Sequence, residues 1–429
     1  MAEGSGTTKV GESARGSRVR FLPEDATRDA ALLIAARGVR AFGDGFVSVL
    51  LPLYLADLGF SEVRIGALTT ATLVGSAILT LLVGLVSYRL RRRPLLLLGT
   101  LVMAATGVGF AFVHDFWPLL LIAFLGTLNP SSGDVSVFLP LEQSLLPQTV
   151  SNRQRTALFA RYSLVASLIG AVGALAAGLP GAVSNHTGLG SRQALEGMFL
   201  LYALLALVAL LLYRRLSPGV EAPPGVTHSP LRESRKTVFR LAALFSLDAF
   251  GGGFVVQSLL ALWLFERYGL SAAAAGTIFF WTGVLASLSY LVSARLAEKI
   301  GLIKTMALTH LPANVFLALV PFMPNLELAV LFLLLRSLLS NMDVPARNSY
   351  VMAVVTPAER PAAASVTSVP RSLASAGSPF LAGYLLSLST FGWPLLIAGV
   401  LKGAYDLLLL AMFARVKPPE EAANDGEAG

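Results

Sequence analysis

The stretch AFGDGF at residues 41–46 returns as AFGGGF at residues 249–254, 208 positions later and again inside a long apolar segment. The surroundings repeat as well, because the loops GLVSYRLRRR from Gly84 and ARLAEKIGLIK from Ala294 stand 210 positions apart. A repeat that keeps its offset over such a distance indicates two homologous halves in one chain.

Composition indicates that lipid surrounds most of this chain. Hydrophobic residues make up 55% of its 429 residues and charged residues only 14%, which is too apolar for a soluble protein of this length. Apolar runs long enough to cross roughly 30 Å of hydrocarbon as helices recur along the chain. The twelve predicted spans are 30–56, 62–88, 94–113, 117–143, 154–180, 194–216, 238–265, 272–298, 303–322, 327–353, 363–388 and 393–414. We therefore predict an all-α membrane protein with two pseudo-symmetric bundles of six transmembrane helices.

The basic residues follow alternate loops, which predicts the orientation in the membrane. A net charge of +8 would also suit a nucleic-acid partner, but the charges do not gather on one face. Most of them lie on the side of the N-terminus, whereas the opposite loops hold only Arg64, Arg192 and Arg267. This asymmetry predicts a multi-pass protein of the cell membrane with both termini in the cytoplasm, and with lipid but no nucleic acid as a partner.

The repeat also predicts the domain organisation. Residues 29–216 and 238–414 form the two bundles, and the proline- and charge-rich segment 217–237 is a cytoplasmic linker. Residues 1–28, without a signal peptide, are predicted to be a disordered cytoplasmic tail, and residues 415–429 a second tail. Because each half has an even number of helices, both insert the same way up around a central cleft. We expect a monomer.

The residue types on which most enzymes depend are missing or scattered. The chain has no cysteine and its four histidines are far apart. The signatures of nucleotide hydrolysis, elbow-type serine hydrolases and zinc proteases do not occur. We therefore expect no catalytic activity, no metal and no cofactor.

The loops after helices two and eight each match part of the pattern G-x-L-A-D-R-x-G-R-[RK]. In the second copy the matching residues are Leu296, Ala297, Glu298, Lys299, Gly301 and Lys304. In the first copy they are Gly84, Ser87, Arg89, Arg92 and Arg93, with Tyr88 in place of the acidic residue and Arg91 in place of glycine. With these loops and the repeat of six helices, residues 30–414 resemble the major facilitator superfamily.

The resemblance implies a transporter that works by alternating access, with these loops as a cytoplasmic latch between the halves. Because Tyr88 replaces the acid of the first loop, Glu298 is the better candidate for the latch. The implied gating residues are Gly84, Arg89, Arg92, Glu298, Lys299 and Gly301.

Charged residues inside apolar helices usually face protein or water, because an ionised group at the bilayer centre costs roughly 2.5–3.5 kcal/mol. Arg37, Arg40 and Asp44 share one face of helix one. The repeat matches Arg40 with Asp248 of helix seven, so we predict that these two side chains meet across the cleft. Such a pair would be either a fixed structural ion pair or a substrate or proton contact that breaks and reforms.

Helices four and ten contain polar strings that predict breaks. NPSSGD at residues 129–134 is typical of a turn, although a misplaced helix end would give the same string. Broken backbone at membrane depth is tolerated only where it lines a cavity or is buried in protein. The predicted substrate and proton pathway comprises Arg37, Arg40, Asp44, Asn129, Asp134, Asp248, Gln257, Arg336, Asn341 and Asp343.

Two further pairs of opposite charge stand out. Glu142 and Arg347 occupy matched positions of helices four and ten, and we predict an inside gate between them. The alternative is an interfacial pair of little energetic effect. Lys402 and Asp406 lie four residues apart on helix twelve, where they can neutralise each other.

These features predict a secondary active transporter, with export of a small organic molecule in exchange for protons as the leading version. Asp44 is the first candidate for the proton-carrying acid, and Asp134 and Asp248 are its rivals. Proton-coupled uptake of a small metabolite is the alternative within this class, and a membrane sensor without transport is the alternative from another class. The mixed charges suit an anionic or zwitterionic solute as well as a lipophilic cation.

Overall fold

The structure is a computed structural model that describes residues 22, 25–86, 91–131, 136–151, 154–221, 231–356, 359–414 and 416. These residues form helices joined by short turns, with no strand among them. The α-helices of the first half are α1 (Arg28–Asp57), α2 (Glu62–Val86), α3 (Arg92–Phe112), α4 (Phe116–Leu125), α5 (Phe138–Leu145), α6 (Arg155–Leu175), α7 (Leu179–Thr187) and α8 (Ser191–Arg214).

The second half repeats this order of helices. Its α-helices are α9 (Arg235–Gly253), α10 (Gln257–Tyr268), α11 (Ala272–Ile300), α12 (Leu302–Leu319), α13 (Leu326–Leu339), α14 (Asp343–Ala353), α15 (Arg360–Leu388) and α16 (Trp393–Phe413). Most of the predicted tails, at residues 1–28 and 415–429, and much of the linker lie outside the described residues.

Every predicted span coincides with one of these helices or with a consecutive pair of them. In the described part of the chain, ten helical stretches are long and apolar enough to cross a membrane. The other two predicted spans are the fourth, which is split into short pieces, and the eleventh, which is α15 with its many serines and two internal prolines. The predicted all-α membrane fold of two related bundles is confirmed.

The fourth and tenth spans are both interrupted in the middle. The fourth stops with α4 at Leu125 and resumes with α5 at Phe138, which confirms the break predicted from the polar string between them. The tenth stops with α13 at Leu339 and resumes with α14 at Asp343. The two halves thus share an interrupted helix at matched positions.

The seventh span breaks after its three glycines. It stops with α9 at Gly253 and resumes with α10 at Gln257. The glycines also allow close packing, because a Cβ at Gly253 would lie 2.2 Å from the carbonyl oxygen of Ser375 on α15. The glycines thus lie both at the break in the span and at a close contact with α15.

Small residues bring the two halves together at the end of the bundle where α2 begins and α15 ends. A Cβ at Gly66 of α2 would lie 2.7 Å from the carbonyl oxygen of Pro379 on α15, and a Cβ at Gly383 would lie 2.4 Å from that of Glu62. A Cβ at Gly276 of α11 would likewise lie 2.3 Å from a carbonyl oxygen of α6. The backbones of the two halves are in direct contact here.

At the opposite end, acidic side chains tie the linker to each half separately. Glu221 accepts hydrogen bonds from the first two backbone N–H groups of α3, both at 2.9 Å. Glu359 accepts three, from Arg232, Glu233 and Ser234. These N–H groups, that of Arg232 foremost, hold the pKa of Glu359 below its ordinary value. The hydrogen bonds to the Glu359 carboxylate therefore persist at neutral pH and weaken only as the pH falls through that lowered pKa.

Candidate functional site

A buried carboxylate lies at the centre of the first half. Glu142 on α5 forms an ion pair with Arg40 of α1, and both side chains are almost completely buried, with 0% and 1% of their surface exposed. The hydroxyl groups of Tyr162 and Tyr213 donate hydrogen bonds to Glu142 at 2.5 and 2.6 Å. The Arg40 guanidinium also lies 4.2 Å from the centre of the Phe138 ring. Each charge is thus compensated inside one half, as a buried ion pair requires.

The second half has a corresponding buried carboxylate, Asp248 on α9. Lys402 Nζ of α16 donates to it at 2.5 Å, and Arg347 Nη1 of α14 lies 3.6 Å away. Arg347 also binds Asp343, one turn earlier on α14, at 3.0 Å. Three helices of the second half, α9, α14 and α16, therefore meet through these charges.

A third polar group adjoins this cluster. Asp406 of α16 lies 2.9 Å from His310 Nδ1 and accepts a hydrogen bond from the Asn314 amide at 2.8 Å. The other ring nitrogen of His310 lies 3.9 Å from Asp248. The expected neutralisation of Asp406 by Lys402 is wrong, because Lys402 reaches the carboxylate of Asp248 on the neighbouring helix instead.

The two ion pairs are related by the repeat, with their charges exchanged. Arg40 matches Asp248, and Glu142 matches Arg347. In the first half the basic residue, Arg40, lies on helix one and the acidic residue on helix four. In the second half the acidic residue, Asp248, lies on helix seven and the basic residue on helix ten.

This arrangement corrects two predictions. Arg40 and Asp248 do not form a pair across the cleft, and Glu142 and Arg347 do not contact each other, because all four bind partners in their own half. The physical reason lies in the symmetry. Residues related by a twofold axis occupy equivalent places in separate halves, so a matched pair meets only if it lies on the axis itself.

The break in helix four positions the candidate proton carrier. Asn129 Nδ2 lies 3.4 Å from Asp44 Oδ2 on α1, and Asp44 is only 6% exposed. The Asn129 side-chain oxygen accepts hydrogen bonds from the N–H and hydroxyl groups of Ser131. The hydroxyl of Tyr202 on α8 also interacts with Asp44. Asp134, in the same polar string, lies outside the described residues.

The remaining pathway candidates lie in different surroundings. Gln257 donates to the Ser48 hydroxyl at 2.9 Å and so connects α10 with α1 of the other half. Arg37 is buried, with its guanidinium 5.5 Å from the centre of the Tyr162 ring. Arg336 lies in the last turn of α13, and Asn341 lies in the turn before α14. Both residues are half-buried.

The implied latch residues can be placed only in part. Arg89, the side chain of Glu298 and the surroundings of Gly84 lie outside what the structure describes. The backbone N–H of Arg92 binds Glu221 of the linker, and Lys299 belongs to the last turn of α11. Gly301 links α11 to α12 with a φ of 86°. Residues other than glycine rarely adopt this conformation, which explains why glycine stands here.

Sequence reasoning missed several residues of these networks. Tyr162, Tyr213, His310 and Asn314 are polar side chains inside apolar spans, and that was the only local signal for them. Their importance comes from partners far away in the chain, such as Glu142, which is 71 positions from Tyr213.

Comparison with known proteins identifies the family. The profile of the Major Facilitator Superfamily matches residues 33–341 and 247–429. The chain belongs to this superfamily of membrane transporters. The resemblance implied by the loops and the repeat is thereby confirmed.

Two relatives illustrate what this chain is similar to. An uncharacterized membrane protein of Saccharomyces cerevisiae, YJR124C, is 26% identical over 426 residues, which cover 91% of this chain and 95% of the yeast protein. The multidrug transporter MdfA of Edwardsiella ictaluri is 31% identical over 157 residues, or 36% of this chain and 34% of MdfA.

A solved structure shares the fold of this superfamily member. A bacterial homolog of the human lysosomal transporter Spinster, in an inward-facing and occupied conformation, superposes with a TM-score of 0.72 at 16% identity. The match covers 90% of this chain and 97% of the other. At that level of identity the likeness concerns the fold alone.

Proposed function

We propose that this member of the major facilitator superfamily is a secondary active transporter that exports a small organic molecule in exchange for protons by alternating access. The observation that carries the proposal is the confinement of the central ion pairs to single halves. Arg40 binds Glu142 within the first half, and Asp248 binds Lys402 and Arg347 within the second. Each half is therefore internally connected as one body.

Most hydrogen bonds between the halves join neutral groups and are weaker than these ion pairs, and the exception is a contact between the carboxyl groups of Glu62 and Glu266. Gln257 binds Ser48, and the Phe380 N–H donates to the Thr70 hydroxyl at 2.8 Å. A neutral hydrogen bond contributes about 0.5–1.5 kcal/mol, whereas leaving one member of a buried ion pair without its partner costs about 3–5 kcal/mol. Rocking of two rigid halves is thus the motion of lowest cost.

The contacts between glycines support an inward-facing state. They lie where α2 begins and α15 ends, which is the extracellular end if both termini are cytoplasmic. The Spinster homolog on which the chain superposes was captured in an inward-facing conformation. Closed packing outside would leave the cleft to open towards the cytoplasm.

The surroundings of the acids favour Asp44 as the proton carrier. Asp248 faces Lys402 and Arg347, and these cations stabilise its ionised form. Asp44 also interacts with the charge of Arg40, but that guanidinium is paired with Glu142, and Asp44 contacts the neutral amide of Asn129 at 3.4 Å. An amide can hydrogen-bond a protonated as well as an ionised carboxyl group, so Asp44 can exchange its proton without losing this partner.

Export is favoured over uptake by the similarity to a multidrug transporter over 157 residues. Flux measurements in proteoliposomes with an imposed pH gradient test the direction, with a mixed panel of radiolabelled anions, zwitterions and lipophilic cations. We expect at least one solute to move against the proton flow. Movement in the same direction as protons would indicate an uptake symporter, and binding without flux would indicate a sensor.

The Asp44→Asn variant tests the carrier in the same liposomes. We expect it to lose accumulation driven by the pH gradient and to keep solute exchange, because the neutral amide retains the shape of the site but not the proton. Asp57→Asn is the control, because Asp57 lies in an exposed ion pair with Arg192 at the other end of α1. Uphill transport by Asp44→Asn would remove Asp44 from the coupling mechanism.

A further inference from the structure

Four basic side chains from four helices surround the single carboxylate of Asp248. Lys402 and Arg347 bind it directly. Arg336 of α13 and Arg371 of α15 also interact electrostatically with it. Arg371 is close enough to Arg347 for the two guanidinium groups to repel each other. One carboxylate cannot neutralise all four.

The nearby acids do not remove this excess. Asp343 is engaged by Arg347 at 3.0 Å, and Asp406 is engaged by His310 and Asn314. With these carboxylates and Asp248 ionised and His310 neutral, four cations still face three anions. This cluster of described side chains therefore holds one excess positive charge.

Arg336 and Arg371 carry that excess. The Nε atom of each is buried and has no hydrogen-bond partner among the described residues, and neither side chain forms an ion pair with them. Burying a charged donor in a membrane interior costs far more free energy without a hydrogen-bond acceptor than with one. Such groups therefore usually mark a ligand or ion pathway. Planar guanidinium groups bind carboxylates and phosphates through two parallel hydrogen bonds.

The position of these arginines suits a ligand that enters from the cytoplasm. Arg371 lies eleven residues from the start of α15, which is about 16 Å along the helix axis. Both residues are half-buried, although the Nε atom of each is buried. α15 packs against α2 of the first half as well as against α9, which places it at the boundary of the halves.

We propose that Arg336 and Arg371 bind the negatively charged group of the transported solute, a carboxylate or another oxyanion on a small organic molecule. The bound anion neutralises the excess charge and gives each arginine its missing acceptor. This assignment rests on the proposed transport function for its meaning, but binding itself depends on neither a proton gradient nor the direction of transport.

Size-matched probes test the sign of the charge. The protein is purified in an uncharged detergent at low salt, and its Tm is measured with benzoate, phenyl phosphate, benzamide and benzylamine. A concentration of about 10 mM detects a Kd near 1 mM. We expect at least one of the two anions to raise the Tm and the neutral and cationic probes to leave it unchanged. An equal shift with all four probes, or no shift with either anion, would overturn the proposal.

Variants test the two arginines. Arg371→Gln and Arg336→Gln should each raise the Kd for the effective anion at least about tenfold. Each should also raise the Tm without ligand, because an uncompensated buried charge is removed. Arg371→Lys should keep measurable anion binding, which separates loss of charge from loss of fold. Arg240→Gln, at an exposed site on α9, is the control for non-specific anion binding.

The outcomes also separate this inference from the proposed function. Anion binding that depends on Arg371 but drives no proton movement would contradict proton-coupled export and leave the site intact. Proton-coupled flux of neutral or cationic solutes, unaffected by Arg371→Gln, would overturn the anion site and leave the transporter intact. Unchanged anion affinity in both glutamine variants would also overturn it.

Discussion

At the scale of single residues, Glu142 illustrates how a charge is kept inside a membrane protein. It has no exposed surface, yet it receives one guanidinium and two phenolic hydroxyl groups from three helices. The mirrored position in the second half, Arg347, is satisfied by two carboxylates. Equivalent helix contacts in the two halves are thus both stabilised by a buried ion pair, with the acidic and basic residues exchanged.

Replacing this residue should reveal the energetic weight of the network. Glu142→Gln leaves Arg40 without its counter-charge, so we expect a loss of roughly 3–5 kcal/mol in the free energy of unfolding. Glu196→Gln is the matched control, because Glu196 lies in an exposed pair with His114 and should change stability by about 0–1 kcal/mol. Unfolding of the purified variants in detergent measures both. Similar losses in the two would show that the buried network contributes little.

At the scale of helices, α2 and α15 show how small residues set the closed end. Their backbones touch at Gly66 and Gly383, where a side chain has no room. Glycines are frequent in transmembrane helices, where they allow close packing of backbones. Which helix each glycine faces is decided by the packing of the two halves.

A methyl group at this contact should open the closed end. Gly383→Ala places a Cβ 2.4 Å from the carbonyl oxygen of Glu62, and such overpacking costs typically about 1–3 kcal/mol. We expect α2 and α15 to separate there, measured by spin labels on Ser61→Cys and Thr390→Cys in this cysteine-free chain. Gly377→Ala on the same helix is the control, because its nearest neighbour is 4.0 Å away. An unchanged distance in Gly383→Ala would show that the contact adapts without opening.

At the scale of the whole molecule, the described helices form two internally bonded bodies with no salt bridge between them. This predicts that a change of pH or ligand moves the halves and not their interiors. Spin labels at Ser151→Cys and Arg215→Cys, both in the first half, should keep their distance within about 2 Å, whereas labels at Ser151→Cys and Lys236→Cys, in different halves, should move by more than about 5 Å. A large change within the first half would contradict rigid-body rocking.

Local pattern was sufficient for most of the architecture. Hydropathy over about 20 residues predicts a spanning helix because lipid requires every backbone group to be satisfied within the segment. The polar string after Leu128 predicted the break in helix four because such residues favour turns. The repeat at AFGDGF and AFGGGF predicted two related halves, and the family match agrees with it.

The amino-acid sequence by itself determined the helices, their breaks, the duplication and which positions in the membrane carry charge. Only the tertiary structure decided which charges meet: Arg40 binds Glu142, 102 positions away, and Asp248 binds Lys402, 154 positions away. The physical reason is that helix formation depends on neighbours within a few turns, whereas an ion pair depends on how distant helices cross. The repeat matched Arg40 with Asp248 because they occupy equivalent positions in the two halves. A twofold axis places equivalent residues in separate halves, so the match did not make them a pair.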